Sequence, residues 1–106
     1  MALVDNFRAM LARGQDSALL RFSLGSALLK AGDPAEAATH LAEAVRQDPG
    51  YSAAWKLYGK ALEASGETGA AIGAYERGIE VAEGKGDKQA AREMTVFLKR
   101  LRRQSG

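Results

Sequence analysis

Apolar residues recur along this chain every three or four positions, the spacing typical of amphipathic helices. Leu3, Phe7, Met10 and Leu11 share one face of the first such segment, and Gly14 closes it. The same spacing returns five more times, separated by short stretches that carry Gly, Pro or a capping Asp or Ser. The pattern predicts six helices joined by loops of about two to four residues, so neighbouring helices should pack antiparallel.

Local signals strengthen this interpretation. Asp33, Pro34 and Glu36 provide an N-cap acid, a proline at the first helical position and a capping carboxylate, together a helix start and a capping box. The chain holds 21 alanines but only nine Val, Ile and Thr residues together, and alanine is the best helix former. We predict an all-α protein that forms one domain over residues 1–106.

Composition narrows the function classes. There is no cysteine among the 106 residues, which excludes disulfide scaffolds, cysteine-ligated zinc and thiol catalysis. The apolar runs are far shorter than the roughly 20 residues that a membrane span requires. The N-terminal sequence also lacks the basic stretch and apolar segment of a signal peptide. We therefore expect a soluble cytoplasmic protein without membrane contact.

A shift of 34 residues superimposes residues 18–51 on residues 52–85. Six identities result: Gly25 with Gly59, Ala27 with Ala61, Leu28 with Leu62, Gly32 with Gly66, Ala37 with Ala71, and Gly50 with Gly84. A glycine midway along the first helix of each pair would let the second helix approach closely. Leu41 and Tyr75 would then fill the space further along each pair. Position, more than the number of identities, indicates a repeat.

With these residues the chain resembles the tetratricopeptide repeat family. The second copy fits its pattern through Trp55, Tyr58, Gly59, Leu62, Gly66, Ala71 and Tyr75, and the first through Leu24, Gly25, Leu28, Gly32, Ala37, Leu41, Ala44 and Pro49. The resemblance implies stacked helix hairpins whose concave face is built from the first helix of each pair. Gly78 and Glu83 depart from the pattern, and Glu83, in place of the closing proline, predicts a longer fifth helix. Helices at 3–13 and 87–103 should cover the two ends of the stack.

Catalysis is not expected. His40 is the single histidine, and the sequence shows no acid placed to orient it, so it is interpreted as a rim residue. Gly84, Lys85 and Gly86 form a turn that lacks the remaining residues of a phosphate-binding loop. We predict a non-enzyme with no metal and no cofactor.

The concave face is the candidate binding surface. Its predicted residues are Leu19, Phe22, Ser26 and Leu29 on the first repeat, with Lys56, Lys60 and Glu63 on the second. A face that is apolar at one end and mainly basic at the other suits a peptide or protein segment with an apolar anchor and an acidic flank. The alternatives are that the three apolar residues are core beneath the N-terminal helix, and that the lysines are simply solvated.

The charge of the chain is uneven. Residues 85–106 hold seven basic and two acidic residues, while residues 1–84 hold eight and eleven. The predicted basic patch comprises Lys88, Arg92, Lys99, Arg100 and Arg103, with Arg102 extending it. Contact with nucleic acid or an acidic partner is one interpretation, and solubilisation of a terminal helix is the other. Nucleic acid is the less favoured partner because exposed aromatics are not interleaved with the basic residues.

Three hypotheses follow. The first is an adaptor or scaffold module that binds another protein on its concave face. The second is a homo-oligomer, such as a homodimer, that buries the patch around Leu19, Phe22 and Leu29. The third is weak binding of nucleic acid or of an acidic partner by the last helix. Some members of the family hold chaperone C-terminal carboxylates in a polar clamp, but Phe22, Ser26 and Leu57 occupy the matching places here, so such binding is not expected.

Overall fold

The computed structural model describes residues 2–105, and side chains over 2–104; Met1 and Gly106, which the predicted domain includes, lie outside this range. Six α-helices and no strand occur within it, as the sequence predicts. They are α1 Ala2–Ala12, α2 Ala18–Lys30, α3 Pro34–Gln47, α4 Ser52–Ala64, α5 Thr68–Gly84 and α6 Lys88–Ser105. The all-α architecture is confirmed, and α5, with 17 residues against 14 in α3, is longer as expected.

Side-chain caps explain where three helices begin. The Ser17 hydroxyl accepts a hydrogen bond from the Leu20 amide at 3.1 Å, and Asp87 accepts one from the Ala90 amide at 3.2 Å. Asp33 likewise accepts from the Glu36 amide at 3.3 Å. The reciprocal half of the predicted capping box is wrong, because the Asp33 amide donates to the Leu28 carbonyl at 2.9 Å. The Glu36 carboxylate is instead engaged by other side chains, described below.

The two hairpin turns repeat the same backbone geometry. Gly32 follows α2 with φ +83°, and Gly66 follows α4 with φ +80°. A side chain is disfavoured in this left-handed region, which glycine adopts readily. The turns lie 34 residues apart, in keeping with the shift seen in the sequence.

Close helix approach at two glycines fixes the hairpins. A Cβ placed on Gly25 would lie 2.5 Å from Cγ of Leu41 on α3, and one placed on Gly59 would lie 2.6 Å from Cδ1 of Tyr75 on α5. Both partner side chains are fully buried. The predicted role of these glycines as spacers is confirmed.

The core runs the length of the stack. At one end Val4 of α1 packs with Leu24 and Leu28, and at the other Met94 of α6 packs with Tyr75. Each terminal helix therefore buries apolar surface of the hairpin beside it. This burial is the main source of stability for the stack. No helix within residues 2–105 combines the length and apolar character needed to cross a membrane.

Candidate peptide-binding face

Helices α2, α4 and α6 are the first helices of successive pairs, and α4 contacts both of the others directly. All seven residues predicted for the concave face lie on α2 and α4. Leu19 and Lys60 are exposed, whereas the other five residues are partly buried: Phe22, Ser26, Leu29, Lys56 and Glu63. The structure thus leaves two of the seven side chains mostly exposed to solvent and five partly covered by the rest of the chain.

The apolar residues of α2 do not behave alike. The Phe22 ring lies against Tyr51 with centroids 4.9 Å apart, and both Phe22 and Leu29 pack on the core. Leu19 is 64% exposed and lines a cleft of about 340 Å³ together with Phe7 and Met10 of α1. Helix α1 therefore leaves Leu19 accessible, while Phe22 and Leu29 are largely structural.

The three charged residues of α4 all contact side chains of α6. Lys56 Nζ lies 3.1 Å from Glu93 Oε1. Lys60 Nζ lies 4.7 Å from the centroid of the Phe97 ring, within cation–π range. Glu63 accepts hydrogen bonds from the Tyr75 hydroxyl at 3.0 Å and from Arg100 at 3.3 Å. This end is less basic than the sequence suggests, because Glu63 and Glu93 offset the cations.

Phe97 is a residue of the candidate face that sequence reasoning missed. Its ring is only partly buried, and two cations lie over it, Lys60 at 4.7 Å and Arg100 at 5.4 Å. These three residues line a cleft of about 330 Å³ with Glu63. The repeat alignment does not indicate it, because α6 begins 36 positions after α4 and Phe97 then aligns with the fully buried Ala61.

Burial also perturbs the polar group beneath this cleft. The Tyr75 side chain is fully buried, and its hydroxyl donates to Glu63. Burial, together with this hydrogen bond, raises the pKa of Tyr75 well above its usual value. The tyrosine therefore stays neutral and holds the Glu63 carboxylate in place beside Arg100.

His40 lies in a polar network that sequence analysis did not anticipate. Its Nε2 lies 3.4 Å from Glu36 Oε2 and its Nδ1 lies 3.1 Å from an Arg21 guanidinium nitrogen. The expectation that no acid is placed to orient this histidine is therefore wrong. Arg21 also donates twice to Asp16, at 2.9 and 2.8 Å, and this holds the pKa of Asp16 well below its usual range. These contacts connect α3 to α2, and each polar group of the network has its partner within the network.

The predicted basic patch divides over two surfaces. Arg100 faces Glu63, and the neighbouring Arg102 pairs with Glu76 on α5. Lys88, Arg92 and Lys99 instead line a separate groove along α6. Arg103 is exposed. No three His, Asp or Glu side chains of the described residues gather closely enough to hold a metal ion.

The stacked hairpins, with the glycine contacts at Gly25 and Gly59, agree with a family comparison. The model of the tetratricopeptide repeat family matches residues 4–52 and 22–88 of this chain. The chain belongs to the tetratricopeptide repeat family. The resemblance inferred from the sequence is thereby confirmed, and proteins of this family are generally protein–protein interaction modules without catalytic activity.

Known proteins resemble the chain over nearly its whole length. The TPR repeat-containing protein PA0015 of Pseudomonas aeruginosa is 52% identical over 101 residues, covering 95% of this chain and 96% of that protein. The solution structure of BPP2914 from Bordetella parapertussis is 41% identical with a TM-score of 0.83, covering 98% of this chain and 90% of that one. The TPR2B domain of yeast Sti1, in complex with pHsp70, shares the fold at 21% identity with a TM-score of 0.86, covering 95% of this chain and 81% of that one.

Proposed function

We propose that this chain is a non-catalytic, cytoplasmic protein–protein interaction module, an adaptor or scaffold that binds a peptide or protein segment on its concave face. The observation that carries the proposal is the cleft between α4 and α6, where Lys60 and Arg100 lie over the partly buried Phe97 ring. An aromatic floor suits an apolar anchor, and flanking cations suit a carboxylate beside it. The segment we expect therefore places an acidic residue next to an apolar one.

The apolar end of the face supports an extended contact. Leu19 is 64% exposed on α2, the first helix of the first pair, whereas the Phe97 cleft lies at the third such helix. A segment that crosses α2, α4 and α6 would meet an apolar residue first and the cation-flanked ring last. Binding of a protein ligand has precedent in the fold, since the yeast TPR2B domain was solved in complex with pHsp70.

The test uses one charge reversal and one matched control. Lys60→Glu reverses an exposed charge beside the cleft, and Lys30→Glu reverses an exposed charge at the end of α2. Proteins captured from a lysate by immobilised wild type would be identified by mass spectrometry, and the bound segment would then be titrated against all three proteins. Circular dichroism at 222 nm verifies that each variant is folded.

We expect Lys60→Glu to weaken binding of the segment by about tenfold or more, because the reversal places a carboxylate over the site of an acidic flank. Lys30→Glu should leave the dissociation constant within about twofold, since Lys30 is exposed and does not line the cleft. Equal affinity of wild type and Lys60→Glu for every captured segment would contradict binding at this cleft.

A second candidate function is self-association, and two exposed leucines favour it. Leu3 on α1 is 56% exposed and Leu19 on α2 is 64% exposed. Two such residues on helices that pack together could be buried against a second copy. Sedimentation velocity at rising concentration tests this: a dimer that the Leu19→Ser variant abolishes would support self-association, and a monomer throughout would exclude it at those concentrations.

A further inference from the structure

A groove of about 630 Å³ runs along α6. Ala91, Thr95 and Val96 form its floor, and Val96 is 59% exposed, although valine is a residue that proteins usually bury. Among the described helices, α6 contacts only α4 and α5. They bury Ala91 in the core but leave Val96 largely uncovered.

The groove occupies the place where a second helix lies in the two complete pairs. Gly25 is the eighth residue of α2 and Gly59 the eighth of α4, and each contacts the covering helix through Leu41 or Tyr75. The eighth residue of α6 is Thr95, which lies in the groove floor. Helix α6 thus takes the position of the first helix of a further pair, and no described helix covers the surface around Thr95 that a second helix would contact.

The charged residues of the groove indicate which kind of ligand it favours. Lys88, Arg92 and Lys99 line the groove, and none of the three has a carboxylate of residues 2–104 within ion-pairing distance. Glu83 at the end of α5 is the one acid among the lining residues that the structure describes. A ligand that presents carboxylates to these three cations gains attraction which the chain itself does not supply.

We propose that this groove binds an amphipathic helix of a partner protein, with acidic residues flanking an apolar stripe. The inference does not rest on binding at the Phe97 cleft, because the groove and that cleft share no lining residue. Counted from the helix starts, Arg92, Val96 and Lys99 are the α6 equivalents of Lys56, Lys60 and Glu63, so the groove extends the concave face. The partner helix carries a small residue where it crosses Thr95. In the two complete pairs, Leu41 and Tyr75 fill the space beside Gly25 and Gly59. At the equivalent position of α6 the Thr95 side chain takes up that space, so a large partner side chain would not fit there.

The structure argues against two other occupants. A second copy of α6 would bring the same three cations together, and α1, with one acid and one base in Ala2–Ala12, offers no net negative charge. Nucleic acid is disfavoured because the lining residues include no aromatic ring on which a base could stack. An acidic helix satisfies both the apolar floor and the cationic rim.

The probe is a fluorescein-labelled, end-capped peptide of about 16 residues, with Leu and Ala on one face and Glu on both flanks. A second peptide carries Gln for every Glu. Fluorescence anisotropy measures binding to wild type, to Arg92→Glu/Lys99→Glu in the groove, and to Arg13→Glu/Lys30→Glu. The last variant changes the net charge equally, and its exposed side chains lie on α2 and after α1.

We expect the acidic peptide to bind the wild type and the Arg13→Glu/Lys30→Glu control within about twofold of each other. Arg92→Glu/Lys99→Glu, or the Gln peptide, should weaken binding by about tenfold or more. Val96→Asp should weaken it as well without unfolding the protein, because the side chain is exposed. Amide chemical-shift changes on peptide addition should centre on Thr95 and Val96.

Several results would overturn the proposal. Absence of binding by the acidic peptide, or equal binding by the Gln peptide, would refute the acidic helix. Equal loss with both double variants would show only general charge attraction. Self-association of the wild type that Val96→Asp abolishes would assign the groove to a second copy. A duplex or single-stranded DNA oligomer that displaces the peptide and binds more tightly would assign it to nucleic acid.

Discussion

Gly59→Ala isolates the close approach of α4 and α5, the contact on which the second hairpin depends. The added Cβ would lie 2.6 Å from Cδ1 and 2.8 Å from Cζ of Tyr75, and closer still to Cε1. Ordinary carbon–carbon contact needs about 3.5–4.0 Å. The Tyr75 ring cannot swing aside, because it is fully buried and its hydroxyl bonds Glu63 at 3.0 Å. Overpacking of this kind costs about 1–3 kcal/mol.

A matched glycine separates this steric cost from helix propensity. Gly73 lies inside α5, and a Cβ added there would meet nothing within 4 Å. Gly73→Ala should therefore raise the free energy of unfolding by about 1 kcal/mol, the usual gain from alanine in a helix. Gly59→Ala receives the same gain but bears the clash, so we expect it to be the less stable variant by about 1–3 kcal/mol.

The assay is equilibrium unfolding in guanidinium chloride, followed by circular dichroism at 222 nm for wild type and both variants. A difference near zero between Gly59→Ala and Gly73→Ala would refute the packing argument. Gly59→Leu extends the series, because its larger side chain has no space beside Tyr75. A cost of about 3 kcal/mol would lower its melting temperature by more than about 12 °C.

Three further predictions concern the rest of the chain. Gly78→Ala, although it restores the residue expected at that position, should lower stability by about 1 kcal/mol, because the new Cβ would lie 2.8 Å from the Trp55 Cβ and 2.5 Å from Met94 Sδ; thermal melts measure this. Arg21 lowers the pKa of Asp16, so this pair stabilises the fold above about pH 4 and its contribution falls as the pH drops below that. Urea unfolding of Asp16→Asn should therefore approach wild type at low pH, whereas a constant difference between pH 7 and pH 2.5 would contradict the assignment. A chaperone tail peptide with a free C-terminal carboxylate should bind no better than its amide in a calorimetric titration.

Much of the fold was predictable because it depends on local signals. The Asp33 side chain caps the start of α3, and the Pro34 ring fixes a backbone angle that suits the first helical position. Gly32 adopts the positive φ at which the preceding helix ends. The spacer role of Gly25 and Gly59 could be predicted because the same spacing of residues occurs twice in the sequence. These features act within a few residues or repeat at a fixed interval, so the sequence displays them directly.

The pairing of side chains between different helices was harder to predict from the sequence. Glu93 and Phe97 meet Lys56 and Lys60 only because α6 lies beside α4 at one particular rotation. The interval from α4 to α6 is two residues longer than that from α2 to α4, so the 34-residue shift does not carry over. His40 and Glu36 are the exception, since their separation of four residues places them on one helix face and could have indicated the contact.

The basic C-terminal segment shows why net charge is a poor guide to a surface. Lys99 and Arg100 are consecutive, yet a rotation of about 100° per residue in an α-helix turns them to different neighbours. Arg100 is held by Glu63 beside the Phe97 cleft, while Lys99 lines the other groove of α6. Reversal of Lys99 and reversal of Arg100 should therefore affect different ligands, although both remove the same charge. If both substitutions weakened the same ligand equally, the division of this helix into two binding surfaces would be wrong.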